Sequence, residues 1–366
     1  MIETGPRVLE VEKHNLHHAR IHHLEERPLQ EGEIRLLIDD FALTANNITY
    51  ANFGETMGYW EFFPSEDAGW GRVPVWGFAS VNESLCDDIY PGERFYGYFP
   101  MATELIVRPD DIRDSGFTDA SAHRQKLPPI YNNYVRVASD PGYRADFENE
   151  QMLFRPLFMT AFVIDDQLAE FDFHGAEHVV LSSASSKTAL ALAWLLKQRA
   201  DIKVVALTSQ RSRAFVRNSG VYDEIVLYED LESELDTKTS VFVDFSGDPK
   251  LVSRVHHQLT DQLKASVFVG ATNWQASKEG APDADMPGPE PQFFFAPDQA
   301  GKRIEEWGGK EFNRRVTEAM LAFFKPASRW IKTVRGLGDE AIEECYDRVL
   351  RGEALPSEGF ILSFGL

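Results

Sequence analysis

The stretch His178–Arg213, HVVLSSASSKTALALAWLLKQRADIKVVALTSQRSR, constrains the fold more than any other part of the chain. Val179-Val180-Leu181 is an apolar run of the kind that a fully buried strand needs. A turn of small hydroxyl residues follows, Ser182–Ser186. Thr188–Gln198, apolar on nearly every side, predicts a helix packed against a sheet, and Lys203–Leu207 predicts a second buried strand. Strand, turn, helix and strand in roughly 30 residues make a βαβ unit, which builds a parallel sheet with a right-handed crossover. The fold class read from this stretch is α/β.

The turn is where a ligand is expected. A dinucleotide-binding turn uses G-x-G-x-x-G, so that the backbone can approach a pyrophosphate and the helix can pack on the strand. This chain has Ser183-x-x-Ser186-x-x-Ala189 at that spacing. The N–H groups and positive dipole of the helix end attract an anion. Ser183, Ser185, Ser186, Lys187 and Thr188 are therefore candidate phosphate ligands. The alternative is that small residues merely allow close helix–strand packing. The second strand ends Thr208-Ser209-Gln210-Arg211-Ser212-Arg213, without the acid that binds a ribose 2′-OH. Ser209, Arg211 and Arg213 suit a 2′-phosphate instead, because guanidinium groups grip phosphate in a fork. NADP(H) is the expected cofactor. The competing reading is that the arginines cap a solvated helix start.

At 366 residues the prior is two domains. A net charge of −21 argues against nucleic acid or an anionic membrane as partner. Two cysteines, Cys86 and Cys345, make neither a disulfide framework nor a zinc cluster. Residues 1–15 lack the features of a secretory leader, and no apolar run approaches membrane-spanning length. A cytoplasmic protein is expected. Residues 1 to about 125 read as β-rich, with short runs at Val8–Val11, Glu33–Ile38, Val73–Val81, Arg94–Phe99 and Ala102–Val107 divided by Gly, Pro and Asp. His14, His17, His18, His22 and His23 have irregular spacing and no acid or cysteine cluster beside them. A solvated strand-and-turn face fits them better than a metal site.

Several segments together resemble the medium-chain dehydrogenase/reductase superfamily, in its zinc-free quinone and enoyl reductase branch. Glu31-Gly32-Glu33-Ile34-Arg35-Leu36 is similar to that family's G-E-V-x-V strand, and Pro91-Gly92-Glu93-Arg94-Phe95 to its P-G-D-R-V turn. Leu43–Tyr50 falls where zinc-free members carry an N-P-x-D-like segment. Phe242–Gly247 resembles the fourth cofactor-domain strand, and Leu350-x-Gly352-x-x-x-Pro356-x-x-Gly359-Phe360-Ile361 the closing helix and strand. Within the superfamily the pattern is most similar to the DUF2855 family. The resemblance implies a GroES-like β-rich catalytic domain over residues 1–150, a Rossmann doubly wound parallel-sheet cofactor domain over 151–325, and a return to the first domain over 326–366. It also implies a homodimer acting on a small molecule. Zinc enzymes of the superfamily place a Cys where this chain has Thr44-Ala45-Asn46, and G-H-E where it has Gly77-Phe78-Ala79, so no metal is expected.

Asn46–Trp70 is dense in aromatics, including Tyr50, Phe53, Tyr59, Trp60, Phe62 and Phe63. These are too many large apolar groups for a solvent loop. In the zinc-free reductases that the chain resembles, an Asn and a Tyr from this region face the substrate. Tyr50 and Tyr59 are accordingly candidate donors to a carbonyl oxygen, with Asn46 and Asn47 fixing that oxygen. Aromatic packing is the alternative for each. Residues 108–150 form a polar excursion in which Arg124, Lys126, Tyr131, Asn132 and Tyr134 could reach a substrate. Thr160, on a helix entering the cofactor domain, is a candidate nicotinamide contact. Further buried strands are expected at Ile225–Leu227, Val241–Phe245 and Val267–Val269. Their end turns, Phe245-Ser246-Gly247 and Gly270-Ala271-Thr272, would edge the cofactor, because ligands sit at the carboxyl ends of strands. Gln275–Gln299 reads as a long loop whose Phe293-Phe294-Phe295 must bury, and 301–324 as helix.

Two functions compete. One is a zinc-independent, NADPH-dependent reductase of an activated alkene, quinone or carbonyl in a small hydrophobic substrate. The other is a non-catalytic or repurposed member of the fold that binds a nucleotide or small ligand. A phosphate-binding protein without redox chemistry is a third, because Ser185-Ser186-Lys187-Thr188 before a helix faintly resembles a P-loop; both glycines of that motif are missing.

Overall fold

The computed structural model describes residues 5–199, 201–270 and 285–365. The chain divides into two compact units, Met1–Leu153 with Lys332–Leu366, and Phe154–Ile331.

The second unit is built on a six-stranded parallel sheet of His178–Leu181, Lys203–Thr208, Glu224–Leu227, Ser240–Asp244, Leu263–Phe268 and Gln292–Phe293. Taken in chain order, their spatial order is third, second, first, fourth, fifth, sixth. This is the doubly wound arrangement, and the order reverses between the first and fourth strands. Val180 lies opposite Val205 on one side and Phe242 on the other, and all three are fully buried. They pack with Leu251, Val255 and Leu259 of the helix Pro249–Leu259. The helix expected at Thr188–Gln198 spans Lys187–Leu196, with Ala189–Ala193, Leu195 and Leu196 buried. Such all-round burial explains why its sequence shows no polar stripe.

Two expectations for this unit need correction. The loop read as running to Gln299 already contains the strand Gln292–Phe293 and the start of the helix Ala296–Trp307, while its portion up to residue 284 lies outside the described residues. A second helix, Gly309–Trp330, follows Gly308 at φ +82°, so the helix expected over 301–324 is two. Of the three consecutive phenylalanines, Phe294 buries but Phe293 is 56% exposed, because alternate residues of an edge strand face opposite ways.

The first unit is β-rich. Its main sheet runs in the order Lys332–Leu337, Glu358–Ser363, Ile34–Leu43, Pro74–Ser84, Arg94–Pro100, Asn133–Arg136, Gly116–Asp119, Pro109–Arg113, with Glu104–Val107 also paired to Ile34–Leu43. Pairing is antiparallel except between Lys332–Leu337 and Glu358–Ser363. A smaller sheet joins Arg7–Glu12 to Asn15–His23 and to Trp70–Gly71. The histidine-rich segment is the strand Asn15–His23, where His18 bonds Glu12 at 3.0 Å and meets Trp70 edge-on.

Candidate functional site

Two regions hold the residues singled out by sequence, one in each unit. In the second unit, the turn after the first strand carries Ser183 at φ 44°, a left-handed conformation that costs a residue with a side chain about 1–2 kcal/mol. Glycine would normally stand there. Its N–H donates to the hydroxyl of Tyr228 at 3.0 Å, just beyond the third strand. The Tyr222 hydroxyl donates to Ala184 O at 2.7 Å, so two tyrosines prop the turn. The N–H of Ala184 donates to Leu207 O, that of Ser186 to Ser183 O, and the Ser186 hydroxyl accepts from Ala189 N–H as the helix cap. The N–H groups of Ser183, Ala184 and Ser186 in the turn thus have partners within the fold; the sequence reading gave the anion to the N–H groups of the helix end, where Ser185, Lys187 and Thr188 are half-buried.

At the switch point the fold ties itself shut. Asp244, ending the fourth strand, accepts from the Ser182 hydroxyl (2.5 Å), the Ser246 hydroxyl (2.6 Å), Ser246 N–H (3.0 Å) and Gly247 N–H (3.0 Å). The N–H groups of Phe245 and Ser246 donate to Ser182 Oγ. Burial pushes the Asp244 carboxyl above its ordinary range, against the pull of these hydrogen bonds. Phe245, Ser246 and Gly247 were expected to edge a cofactor, but their N–H groups are turned onto Asp244 and Ser182. The sequence signal for Asp244 and Ser182 was present and overlooked: each is the polar residue that closes a buried apolar run.

At the end of the second strand, Ser209 and Ser212 hydroxyls are 3.4 Å apart and Arg211 is exposed. Arg213 is half-buried, and its Nε is buried with no hydrogen-bond partner among the described residues. Thr160 donates to Pro156 O at 3.3 Å within the helix Glu148–Glu170, taking the carbonyl one turn back. Gly270 follows the fifth strand, whereas Ala271 and Thr272 lie outside the described residues.

In the first unit, Thr44 caps the helix Ala45–Asn52. Asn47 completes a capping box: its Oδ1 accepts from Thr44 N–H (2.7 Å) and the Thr44 hydroxyl (3.1 Å), and its Nδ2 donates to Pro74 O (2.8 Å). Asn47 is therefore a buried structural cap rather than an oxygen-positioning residue. Asn46 is half-buried and hydrogen-bonds the Tyr50 hydroxyl one turn further on.

Tyr50 and Tyr59 do come together, with ring centroids 4.6 Å apart. They share a nest with Phe62, Phe63, Tyr98 and Leu127, rimmed by half-buried Phe53, Met57, Trp76, Leu105 and Tyr131. Trp76 Nε1 donates to the Tyr50 hydroxyl at 3.5 Å, and the Tyr59 and Tyr131 hydroxyls meet at 3.3 Å. Burial, then the neighbouring Tyr59, pushes the Tyr50 phenol well above its usual range, and burial does the same to Tyr59, Tyr98 and Tyr131. All four stay protonated at neutral pH, so none is available there as a base.

Behind the nest stands Arg124, 1% exposed. Its guanidinium donates to Asn132 Oδ1 (2.9 Å), Asp119 Oδ2 (3.1 Å), the Tyr134 hydroxyl (2.9 Å) and Tyr131 O (2.6 Å). It also lies over Phe62 and Phe63. The excursion after residue 108 is thus pinned by one buried ion pair, and Tyr131 is delivered by its backbone. Tyr98 escaped the sequence reading, although Tyr96-Gly97-Tyr98 is a period-2 signature with a reason for its glycine. A Cβ on Gly97 would come within 2.4 Å of the Tyr134 ring.

Among the described residues no helix is long and apolar enough to cross a membrane. No curated protein matches the chain. Three solved structures of similar fold are CurA from Vibrio vulnificus in complex with NADPH, the yhdH oxidoreductase from Salmonella enterica in complex with NADP, and an Etr1p mutant in complex with NADP and crotonyl-CoA. The first is 12% identical, covers 98% of this chain and 99% of that one, and has a TM-score of 0.63. The second is 14% identical with 98% and 99% coverage and a TM-score of 0.58; the third is 10% identical with 98% and 99% coverage and 0.57. At such identities the likeness is one of fold, a GroES-like β-rich arrangement with a Rossmann parallel sheet. The model of the family described as "Protein of unknown function (DUF2855)" matches residues 41–354, and the chain belongs to that family.

Proposed function

We propose that the chain is an NADPH-dependent reductase of an activated alkene, quinone or carbonyl in a small hydrophobic substrate, acting without zinc. The observation that carries this reading is Arg213, just beyond the second strand, whose buried Nε lacks a partner among the described residues, where a 2′-phosphate would satisfy it. The NADPH and NADP in solved structures of the same fold support the choice of nucleotide. Ser185, Lys187 and Thr188 would take the pyrophosphate; Ser209, Arg211 and Arg213 the 2′-phosphate. Bound NADPH supplies a hydride. Thr160, Gly270, Ala271 and Thr272 remain candidates for its nicotinamide end.

The chain's own contribution at the substrate is donor chemistry. Tyr50 accepts a hydrogen bond from Trp76, and burial keeps its phenol protonated at neutral pH. A phenol so placed stabilises charge developing on a carbonyl oxygen and can yield its proton to it. Tyr59, coupled to Tyr131, is the second donor. Thr44-Ala45-Asn46 and Gly77-Phe78-Ala79 offer no thiolate or imidazole to zinc. A cytoplasmic homodimer belongs to the same proposal, with exposed Phe293 on the sheet's edge strand in its support.

A non-catalytic or repurposed member of the fold that binds a nucleotide or another small ligand is the second reading, and the turn's engaged N–H groups favour a ligand other than NADP(H). Fluorescence titration with NADPH, NADH and ATP separates the two. Enhanced NADPH emission, weakened far more for NADPH than for NADH by replacing Arg211 and Arg213 together with alanine, is expected. Silence with all three nucleotides would transfer the assignment to the second reading.

A further inference from the structure

The hydroxyl of Tyr98 is the polar group in the nest that the proposed chemistry leaves out. Tyr98 is fully buried, and its hydroxyl has no hydrogen-bond partner among the described residues. A buried hydroxyl left unmatched is costly, and native folds keep few of them. It stands among the rings of Tyr50 (centroids 5.7 Å), Tyr131 (4.8 Å), Phe62 (5.4 Å), Phe63 (5.9 Å) and Trp76 (5.0 Å). The nearby Tyr50 hydroxyl accepts from Trp76 Nε1 at 3.5 Å. Two phenols therefore stand within one apolar enclosure of rings.

The charge of that enclosure is equally definite. The cation against it, Arg124, is matched by Asp119 at 3.1 Å with both side chains 1% exposed, and it is engaged by Asn132, Tyr134 and Tyr131 O as well. Its charge is already matched by Asp119 and four of its N–H groups are engaged, and burying a second carboxylate among rings without a cation of its own is heavily disfavoured. The enclosing surfaces are flat aromatic faces that favour offset or edge contact with another ring.

We infer that the tyrosine nest is a binding site for an uncharged, flat, conjugated carbonyl compound, with Tyr98 as the specificity-determining donor to the carbonyl oxygen and Tyr50 as its companion. The ligand enters past the half-buried rim of Phe53, Met57, Trp76 and Tyr131. This narrows the substrate class of the reductase reading and rests on that reading for its role in turnover, although the binding itself does not need a nucleotide.

The test is binding to the nucleotide-free full chain, read by tryptophan quenching, of three probes sharing one ring system: 2-acetylnaphthalene, 2-naphthoate and 2-ethylnaphthalene. The ketone should bind about tenfold or more tightly than either the anion or the hydrocarbon, which is the size of one neutral hydrogen bond. Tyr98→Phe should abolish that preference while keeping hydrocarbon binding. It should also melt no lower than the parent, since the hydroxyl removed had no partner inside the protein. Equal affinity of parent and Tyr98→Phe for the ketone, preference of the parent for the naphthoate, or no ketone binding by the parent would each overturn the inference. A marked loss of thermal stability in Tyr98→Phe would also overturn it, by showing that the hydroxyl is matched internally. Titration of NADPH is run in parallel: failure there with ketone binding intact sinks the nucleotide reading and leaves this one standing.

Discussion

The serine turn of the second unit and the tyrosine nest of the first are opposites in how they treat polar groups. The turn looks by spacing like a phosphate cradle, yet Ser183, Ala184 and Ser186 give their N–H groups to Tyr228, Leu207 and Ser183, and Asp244 gathers four donors. The nest looks by composition like plain packing, yet the Tyr98 hydroxyl has no hydrogen-bond partner among the described residues and the Tyr50 hydroxyl accepts from Trp76. Spacing tells where a ligand would sit if the groups were available. Only the bonding pattern tells which groups are. The groups the fold leaves without partners among the described residues include Arg213 Nε and the Tyr98 hydroxyl.

The sharpest way to break this contrast is at Arg124, which holds the nest's back wall. Arg124→Ala leaves Asp119 buried and unpaired and should destabilise the protein by about 3–5 kcal/mol in urea unfolding. A loss under 1 kcal/mol would mean that the nest needs no such frame. Next comes Tyr50→Phe, expected to lower turnover of an enone or quinone by about 10²-fold while leaving NADPH affinity intact. Activity within a few-fold of the parent would move the role to Tyr59.

Asp244→Ala sharpens the other half of the comparison. It strips the acceptor from Ser182 and Ser246, and a stability loss of about 1–3 kcal/mol at neutral pH is expected. Burial raises this carboxyl above its ordinary 3.8, so the folded chain holds the proton more tightly than the unfolded one. Its contribution is thus largest below the unfolded value and falls as pH rises through the folded one. The gap between parent and variant should widen on acidification; narrowing would show that the hydrogen bonds outweigh burial. The smallest effect belongs to Ser183→Gly, which relieves a left-handed residue and should stabilise by about 1 kcal/mol at most.

Legibility followed the range of the interactions. Val179–Leu181, Lys203–Leu207 and the helix between them were readable because burial on all sides leaves a local apolar run. The class of fold follows from such runs. Asn47 shows what was not readable: an asparagine that could face a ligand and one that closes a capping box have the same sequence context until Pro74 O is brought beside it. Tyr131 and Arg124 were visible as candidates, but the bond from Arg124 to Tyr131 O that gives them a joint role depends on a loop closing in three dimensions. Phe293 was misjudged because a run of three phenylalanines hides which face an edge strand turns outward.

The pairing of Glu358–Ser363 with Ile34–Leu43 sets a timetable for biogenesis. The strand Ile34–Leu43 leads directly into the helix that carries Asn46 and Tyr50, and its outer edge near Phe41–Leu43 is covered by Phe360–Leu362. During synthesis that edge stays uncovered until more than three hundred further residues have been added, whereas the parallel sheet of Phe154–Ile331 is encoded without interruption. Chains emerging from the ribosome would then complete the sheet of the second unit first. They would hold an open strand edge in the other unit meanwhile, a template for wrong pairing that chaperones must shield.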